Sequence, residues 1–172
     1  MTDMLKNCQL CPRACGADRT KSRGACGAGV EIEAARASLH LWEEPPISGT
    51  NGSGTVFFSH CSLGCVFCQN RRISRREAEG QNITADALAK TFLSLEKKGA
   101  HNINLVTGAH YVPQIIEALQ IARKQGLSLP VVYNSSGYEQ VETLQLLDGH
   151  IDIYLPDYKY YSSYYAGLYS HA

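Results

Sequence analysis

The stretch that decides the fold is residues 55–70, "TVFFSHCSLGCVFCQN". Its first half is a short apolar run with β-branched and aromatic side chains. Upstream it is bounded by "EEPPISGTNGSG" (43–54), a Pro/Gly/Ser-rich loop, so it reads as a buried strand. Its second half delivers Cys61, Cys65 and Cys68 at the carboxyl end of that strand, the place where parallel α/β proteins put their active sites. A structural zinc site takes four protein ligands and is closed by them. Three thiolates on one short loop leave a coordination position free, and a free position is where chemistry happens. The inert alternative is a zinc site completed by the adjacent His60.

Downstream the pattern becomes regular. Thr84 is placed to cap a helix over 84–98 whose apolar stripe runs through Ala85, Leu88, Phe92 and Leu95, with Gly99 as its stop. "INLVTG" (103–108) is a second strand. Pro113 then opens a helix carrying Ile115, Ile116, Leu119 and Ala122, which stops at Gly126. "PVVYNSSG" (130–137) is a third strand, Val141, Leu144 and Leu147 mark a third helix before Gly149, and "IDIYLPD" (151–157) is a fourth strand. Strands alternating with helices predict parallel pairing with the helices outside. A complete eight-strand barrel needs roughly 250 residues, so the expectation is α/β: a partial (βα) TIM-like barrel over 43–172, truncated after about four strands. The chain stops at "YYSSYYAGLYSHA" (160–172), read as an irregular, cut-off end whose tyrosines belong to an interface with missing strands.

Residues 1–42 are read as a separate cysteine-rich segment. The first thirty or so have almost no apolar periodicity, so they stay loose or fold around a metal. Cys8, Cys11, Cys15 and Cys26 form a C-x2-C-x3-C-x10-C set. Such sets bind zinc or ferredoxin-type clusters, and spacing does not choose between them. With no secretory h-region at the N-terminus, the seven cysteines are expected to be reduced thiols. Sixteen basic residues balance sixteen acidic ones, which argues against a nucleic-acid-binding face. No apolar run approaches the roughly 20 residues needed to span a bilayer, and a cytoplasmic location is the expectation.

The Cys61-x3-Cys65-x2-Cys68 spacing, with Phe67 just before the last cysteine, resembles the signature of the radical S-adenosylmethionine (SAM) superfamily. The resemblance implies a [4Fe-4S] cluster on these three cysteines, whose free iron chelates the amino and carboxylate groups of SAM. Reduction then splits SAM into methionine and a 5'-deoxyadenosyl radical that abstracts hydrogen from a substrate. It further implies SAM contacts from Thr107 and Gly108, where "VTGAH" (106–110) lacks the glutamate of the family's Gly-Gly-Glu turn. Asp157 and Lys159 of "PDYK" match an Asp-x-Lys pattern, and "YNSSGY" (133–138) offers Asn134, Ser135 and Ser136, which serve equally as turn residues. Together with "PPISGTNGSGTVFFSHCSLGCVFCQN" and "DIYLPDYK", these segments look like the branch resembling pyruvate formate-lyase activating enzymes. That branch implies an oxidoreductase with a flavodoxin or ferredoxin as electron donor and a glycyl radical enzyme as protein substrate. A small-molecule substrate, or a non-catalytic iron-sulfur or zinc electron-transfer module, are the alternatives. "RRISRRE" (71–77) reads as a solvated loop, with docking of an acidic donor or a substrate carboxylate as the other reading. His110 reads as a hydrogen-bonded structural histidine.

Overall fold

The computed structural model describes residues 3–172. A short helix α1 (Asp3–Lys6) and a long irregular segment lead into strand β1 (Ile32–His40), a one-turn helix α2 (Pro45–Ser48) and strand β2 (Ser53–Phe58). The cysteine loop and helix α3 (Arg71–Ser74) follow, then strand β3 (Gln81–Ile83). The repeating part comprises α4 (Ala85–Lys97), β4 (Ile103–Val106), a 3-10 turn at Ala109–Tyr111, α5 (Val112–Lys124), β5 (Val131–Ser135), α6 (Val141–Leu146) and β6 (Ile153–Pro156). Helix α7 (Ser163–Ser170) comes last.

Local chemistry explains the two long helices. The Thr84 side chain accepts the Ala87 N–H at 3.2 Å, capping α4. The helix buries Leu88, Ala89, Phe92 and Leu95, and the chain leaves it through Gly99 at φ 86°. Pro113 stands in the first turn of α5, where its missing N–H costs nothing. Ile115, Ile116, Leu119 and Ala122 form the buried stripe. These stripes meet one face of the sheet, whose Val56, Phe58, Ile103, Leu105, Val131 and Tyr133 are all essentially inaccessible. Burying each large apolar side chain there contributes about 1.5–3 kcal/mol.

The sheet order is β3-β1-β2-β4-β5-β6, and the sheet is open. Strands β2, β4, β5 and β6 are parallel and in a register that brings their carboxyl ends level: Phe57 lies opposite Val106, Val106 opposite Asn134, and Ser135 opposite Pro156. On the face away from the helices, Ser53 donates to Asn102 at 2.6 Å and Asn102 donates to the Ile47 carbonyl at 2.7 Å. These bonds tie α2 to the amino-terminal ends of β2 and β4. At the outer edge, β6 is largely exposed.

Three features depart from the sequence expectation. The sheet is mixed rather than wholly parallel, because β1 pairs antiparallel with both β2 and β3. Strand β1, "IEAARASLH", lies inside the 1–42 segment yet is continuous with the sheet. It buries Ile32 and Glu33 only, so ladder bonds on both sides hold it rather than an apolar alternation. The tyrosine-rich end forms a helix, α7, which packs on the cysteine loop.

Candidate active site

The cysteine loop begins with a sharp change of direction. After β2, the Ser59 N–H bonds to the Glu33 carbonyl at 2.8 Å, and His60 takes φ 72°. Its side chain is fully buried, with Nε2 2.9 Å from Glu33 Oε2 and Nδ1 3.3 Å from the Arg75 carbonyl. Both ring nitrogens are therefore engaged away from the cysteines, and His60 is a hinge rather than a fourth ligand. Glu33 is pinned from its other oxygen by Arg23 at 2.7 Å.

The loop itself is braced from three sides. Arg75 donates to the carbonyls of Gly64 and Cys65 at 3.0 and 2.9 Å, so this arginine of the basic run is a strut and not part of a solvated face. Arg13 donates to the Ser62 carbonyl from the N-terminal side. From α7, the carbonyls of Ser170 and Tyr169 accept the Gly64 and Val66 N–H groups at 3.0 and 2.8 Å. The Ser170 hydroxyl donates to Cys65 Sγ at 2.8 Å, and Ser74 lies 3.3 Å from Cys68 Sγ.

Beyond the carboxyl ends of the parallel strands lies a cavity of about 770 Å³ lined by Cys61, Cys65, Cys68, Thr107, Asn134, Ser135, Asp157 and Lys159. These eight residues were all singled out from the sequence, and Phe67 and Ser136 line the same space. Thr107 sits at φ 61°, a left-handed conformation that a β-branched residue resists. Its N–H bonds to the Asn134 carbonyl at 3.0 Å, joining two strand ends. Gly108 is not on the cavity wall. Its bare Cα lets Ile115 approach, and an added Cβ would come within 2.7 Å of Ile115 Cδ1. Asp157 and Lys159 form an ion pair at the end of β6. Ser135 is committed to turn chemistry, accepting the Gly137 N–H at 3.1 Å and contacting Glu139 at 3.4 Å.

The sequence reading missed the wall supplied by the end of β1 and the segment that follows it, through His40, Trp42, Glu43 and Glu44. Asn134 Nδ2 reaches Glu43 at 3.4 Å, and His40 stands 3.8 Å from the same carboxylate and edge-on to Phe57. Burial pushes the Glu43 carboxyl up, with His40 pulling it back. The available signal was the "HLWEE" run (40–44), in which His40, Glu43 and Glu44 lead into the prolines of the Pro/Gly loop.

All seven cysteines are free. Burial raises the Cys61 thiol to about 11; the Leu63 N–H lowers it and charge on Cys65, Cys68 and Cys26 raises it further. Cys65 is buried and Cys61 and Cys68 are half-buried, and the raised Cys61 thiol gives up its proton more readily beside a bound cation. Among the described residues no three His, Cys, Asp or Glu side chains converge on a single metal ion. In a cubane cluster each thiolate binds its own iron, so a trio of soft donors spread over one loop fits such a cluster. In the N-terminal set, Cys8 is buried, Cys11 and Cys26 are half-buried and Cys15 is exposed. Burial pushes the Cys11 thiol up, and charge on Cys26, Cys8 and Cys15 adds to the rise.

A strand-end loop of three free thiols over an open sheet with four parallel strands defines an α/β protein whose loop fits an iron-sulfur cofactor. Residues 55–164 match the radical SAM superfamily, and the chain belongs to it. Membership carries a [4Fe-4S] cluster and SAM as the superfamily's general cofactors. The chain is also similar to the uncharacterized protein MJ0674 of Methanocaldococcus jannaschii, with 31% identity over 163 residues that cover 92% of this chain and 47% of that protein. It spans about half the length of this relative. No helix among the described residues is long and apolar enough to cross a membrane.

Proposed function

We propose that this protein holds a [4Fe-4S] cluster on Cys61, Cys65 and Cys68, binds SAM in the cavity at the strand ends, and cleaves it reductively. One observation carries the reading. The three thiols open on the same cavity as Thr107, Asn134, Asp157 and Lys159, while the neighbouring His60 has both ring nitrogens occupied elsewhere. When bound and reduced, the cluster supplies the electron that splits the sulfonium of SAM into methionine and a hydrogen-abstracting 5'-deoxyadenosyl radical.

The chain's own residues bind and orient. Asn134 and Thr107 present polar groups from adjacent strand ends, and Asp157 with Lys159 offers a charge of each sign at the end of β6 for the polar parts of SAM. Glu43 and His40 close the opposite wall and give a substrate a hydrogen-bonding surface. Arg75, Arg13 and α7 keep the cysteine loop in place, which limits reorganisation when the cofactors bind.

The finer reading places the protein in the pyruvate formate-lyase activating enzyme-like branch, working in the cytoplasm. A flavodoxin or ferredoxin supplies electrons and a glycyl radical enzyme is the substrate. The same reading gives Cys8, Cys11, Cys15 and Cys26 a metal of their own, zinc or a second iron-sulfur cluster. Anaerobic reconstitution should load about four irons that a Cys61→Ser, Cys65→Ser, Cys68→Ser variant does not bind. Dithionite and SAM should then release 5'-deoxyadenosine. An intact, reduced cluster that neither binds nor cleaves SAM refutes the reading and leaves an electron-transfer module.

A further inference from the structure

The bulkiest fully buried side chain among the described residues is a cation, Arg19, which is 1% exposed. Its Nε and Nη2 donate to the Gly29 carbonyl at 3.0 and 2.5 Å, and its Nη1 donates to the His110 carbonyl at 2.5 Å. The guanidinium also lies over the Tyr111 ring, 5.5 Å from its centroid. None of these partners carries a full negative charge. The buried carboxylate of Glu33 is taken by Arg23 and His60 instead. A buried guanidinium without a counter-charge is one of the costlier arrangements a protein can hold.

What does face Arg19 is sulfur. Nη1 lies 3.9 Å from Cys8 Sγ. Cys26 lies close by on the same loop, two residues beyond Gly24. Gly24 sits between the two, since a Cβ there would come within 3.5 Å of Cys26 Sγ and 3.8 Å of Arg19 Cδ. The four sulfurs do not converge on one ion as they stand, an arrangement closer to a four-iron core with one iron per thiolate. Around an oxidised core of that kind, or around zinc once they close on it, four thiolates leave an excess of about two negative charges. That is the counter-charge the guanidinium lacks. The bonds of Arg19 also run in useful directions: Gly29 leads into β1, and His110 follows the Thr107–Gly108 turn of the cavity. Cys26 and Cys61 line a common cleft of about 350 Å³, so the two cysteine sets are neighbours.

We propose that Arg19 is the buried counter-charge of an anionic four-thiolate metal centre at Cys8, Cys11, Cys15 and Cys26, and a positioning residue that fastens this centre to the end of β4. The inference rests on the reading that those four cysteines hold a metal, and it adds the sign of the centre's charge and the group that balances it. Removing the cation weakens the hold on the metal; a lysine, which keeps the charge but loses the fork of donors, weakens it less.

The experiment uses the full chain with Cys61, Cys65 and Cys68 changed to serine, so that all bound metal belongs to the N-terminal set. Metal and acid-labile sulfide analysis should find about one zinc without sulfide, or about four irons with as many sulfides. Arg19→Met and Arg19→Lys are then made in that background, and anaerobic transfer of the metal to a chelator is timed. Arg19→Met should lose metal at least about tenfold faster, and Arg19→Lys within about threefold of the parent. If the metal is an iron cluster, Arg19→Met should also move its midpoint potential to a more negative value. The parent binding no metal overturns the metal reading itself. A metal that binds and leaves Arg19→Met at the parental rate, or leaves Arg19→Met and Arg19→Lys equally fast, overturns the counter-charge alone. Loading of Cys61, Cys65 and Cys68 in the otherwise native chain reports that the Arg19 variants fold, and Arg19→Gln serves as the second neutral variant.

Discussion

Glu33 is the residue on which the approach to the cysteine loop turns, and Glu33→Gln tests this without changing the shape of the side chain. The carboxylate is 6% exposed, so water cannot replace what it loses. Its two arms are unequal. Arg23 is 52% exposed and also holds the Gly27 carbonyl at 2.6 Å, so a released guanidinium simply rehydrates. That arm is worth at most about 1 kcal/mol. His60 is fully buried and meets the carboxylate at 2.9 Å, a bond to a charged group worth about 1.5–3 kcal/mol. A glutamine oxygen can serve one partner only, and its amide turns donors toward the other. The expected cost is about 2–3 kcal/mol for Glu33→Gln, against about 1 kcal/mol or less for Arg23→Ala. Urea unfolding of the metal-free protein at pH 7 measures both. Iron retention after reconstitution should fall in Glu33→Gln, because His60 sets the direction in which Cys61 leaves the strand. Equal costs for the two variants, or less than about 0.5 kcal/mol for Glu33→Gln, would show that the buried arm does not hold the loop.

Three further outcomes are expected. Burial presses the His110 imidazole from 6.5 down to about 3, so the folded state binds fewer protons than the unfolded chain between those values. Its contribution is whole above pH 6.5 and drains away as pH falls, at about 1.4 kcal/mol per pH unit. Urea unfolding should therefore lose about 2 kcal/mol between pH 6.5 and 5, and an unchanged slope in His110→Gln would contradict this. Thr107→Gly relieves a left-handed β-branched residue at a cost in chain entropy, so stability should rise by up to about 1 kcal/mol while calorimetry shows weaker SAM binding; a loss of more than about 1 kcal/mol would mean no strain is stored there. Ser170→Ala removes the hydroxyl that donates to Cys65 Sγ, and a redox titration followed by electron paramagnetic resonance should find a more negative cluster potential. An unshifted potential would sever α7 from the cofactor.

The parallel half of the fold was legible because its signals are local and repeated. Thr84, Gly99, Pro113 and Gly126 punctuate helices whose stripes are unambiguous, and strands β2, β4 and β5 are continuous apolar runs. Strand β1 was not legible, since Ala35, Arg36, Ala37 and Ser38 have little strand preference and the strand exists through its two ladders. Three-residue β3 is below what any periodicity can reveal. Among the residues that line the cavity, those at the ends of legible strands could be singled out: Cys61, Cys65 and Cys68, Thr107, Asn134 and Asp157. Those brought in by the end of β1 and the segment after it, His40 and Glu43, were not, because their place depends on an antiparallel return the pattern does not announce. Arg75 was misjudged for a similar reason: a run of arginines looks solvated until the loop it grips is in view.

The left-handed turns at His60 and Thr107 sit on neighbouring strands, and each is held there against its own preference by bonds to the next segment. His60 is locked in by Glu33, so Thr107, strained and only half-buried, is the part of this rim with least to lose by relaxing. On warming, the cleft should therefore go slack while the helices are still folded, so that SAM binding, followed by calorimetry, fades at temperatures where circular dichroism records no change. The strain at Thr107 would then set how far below the melting temperature the cleft gives way.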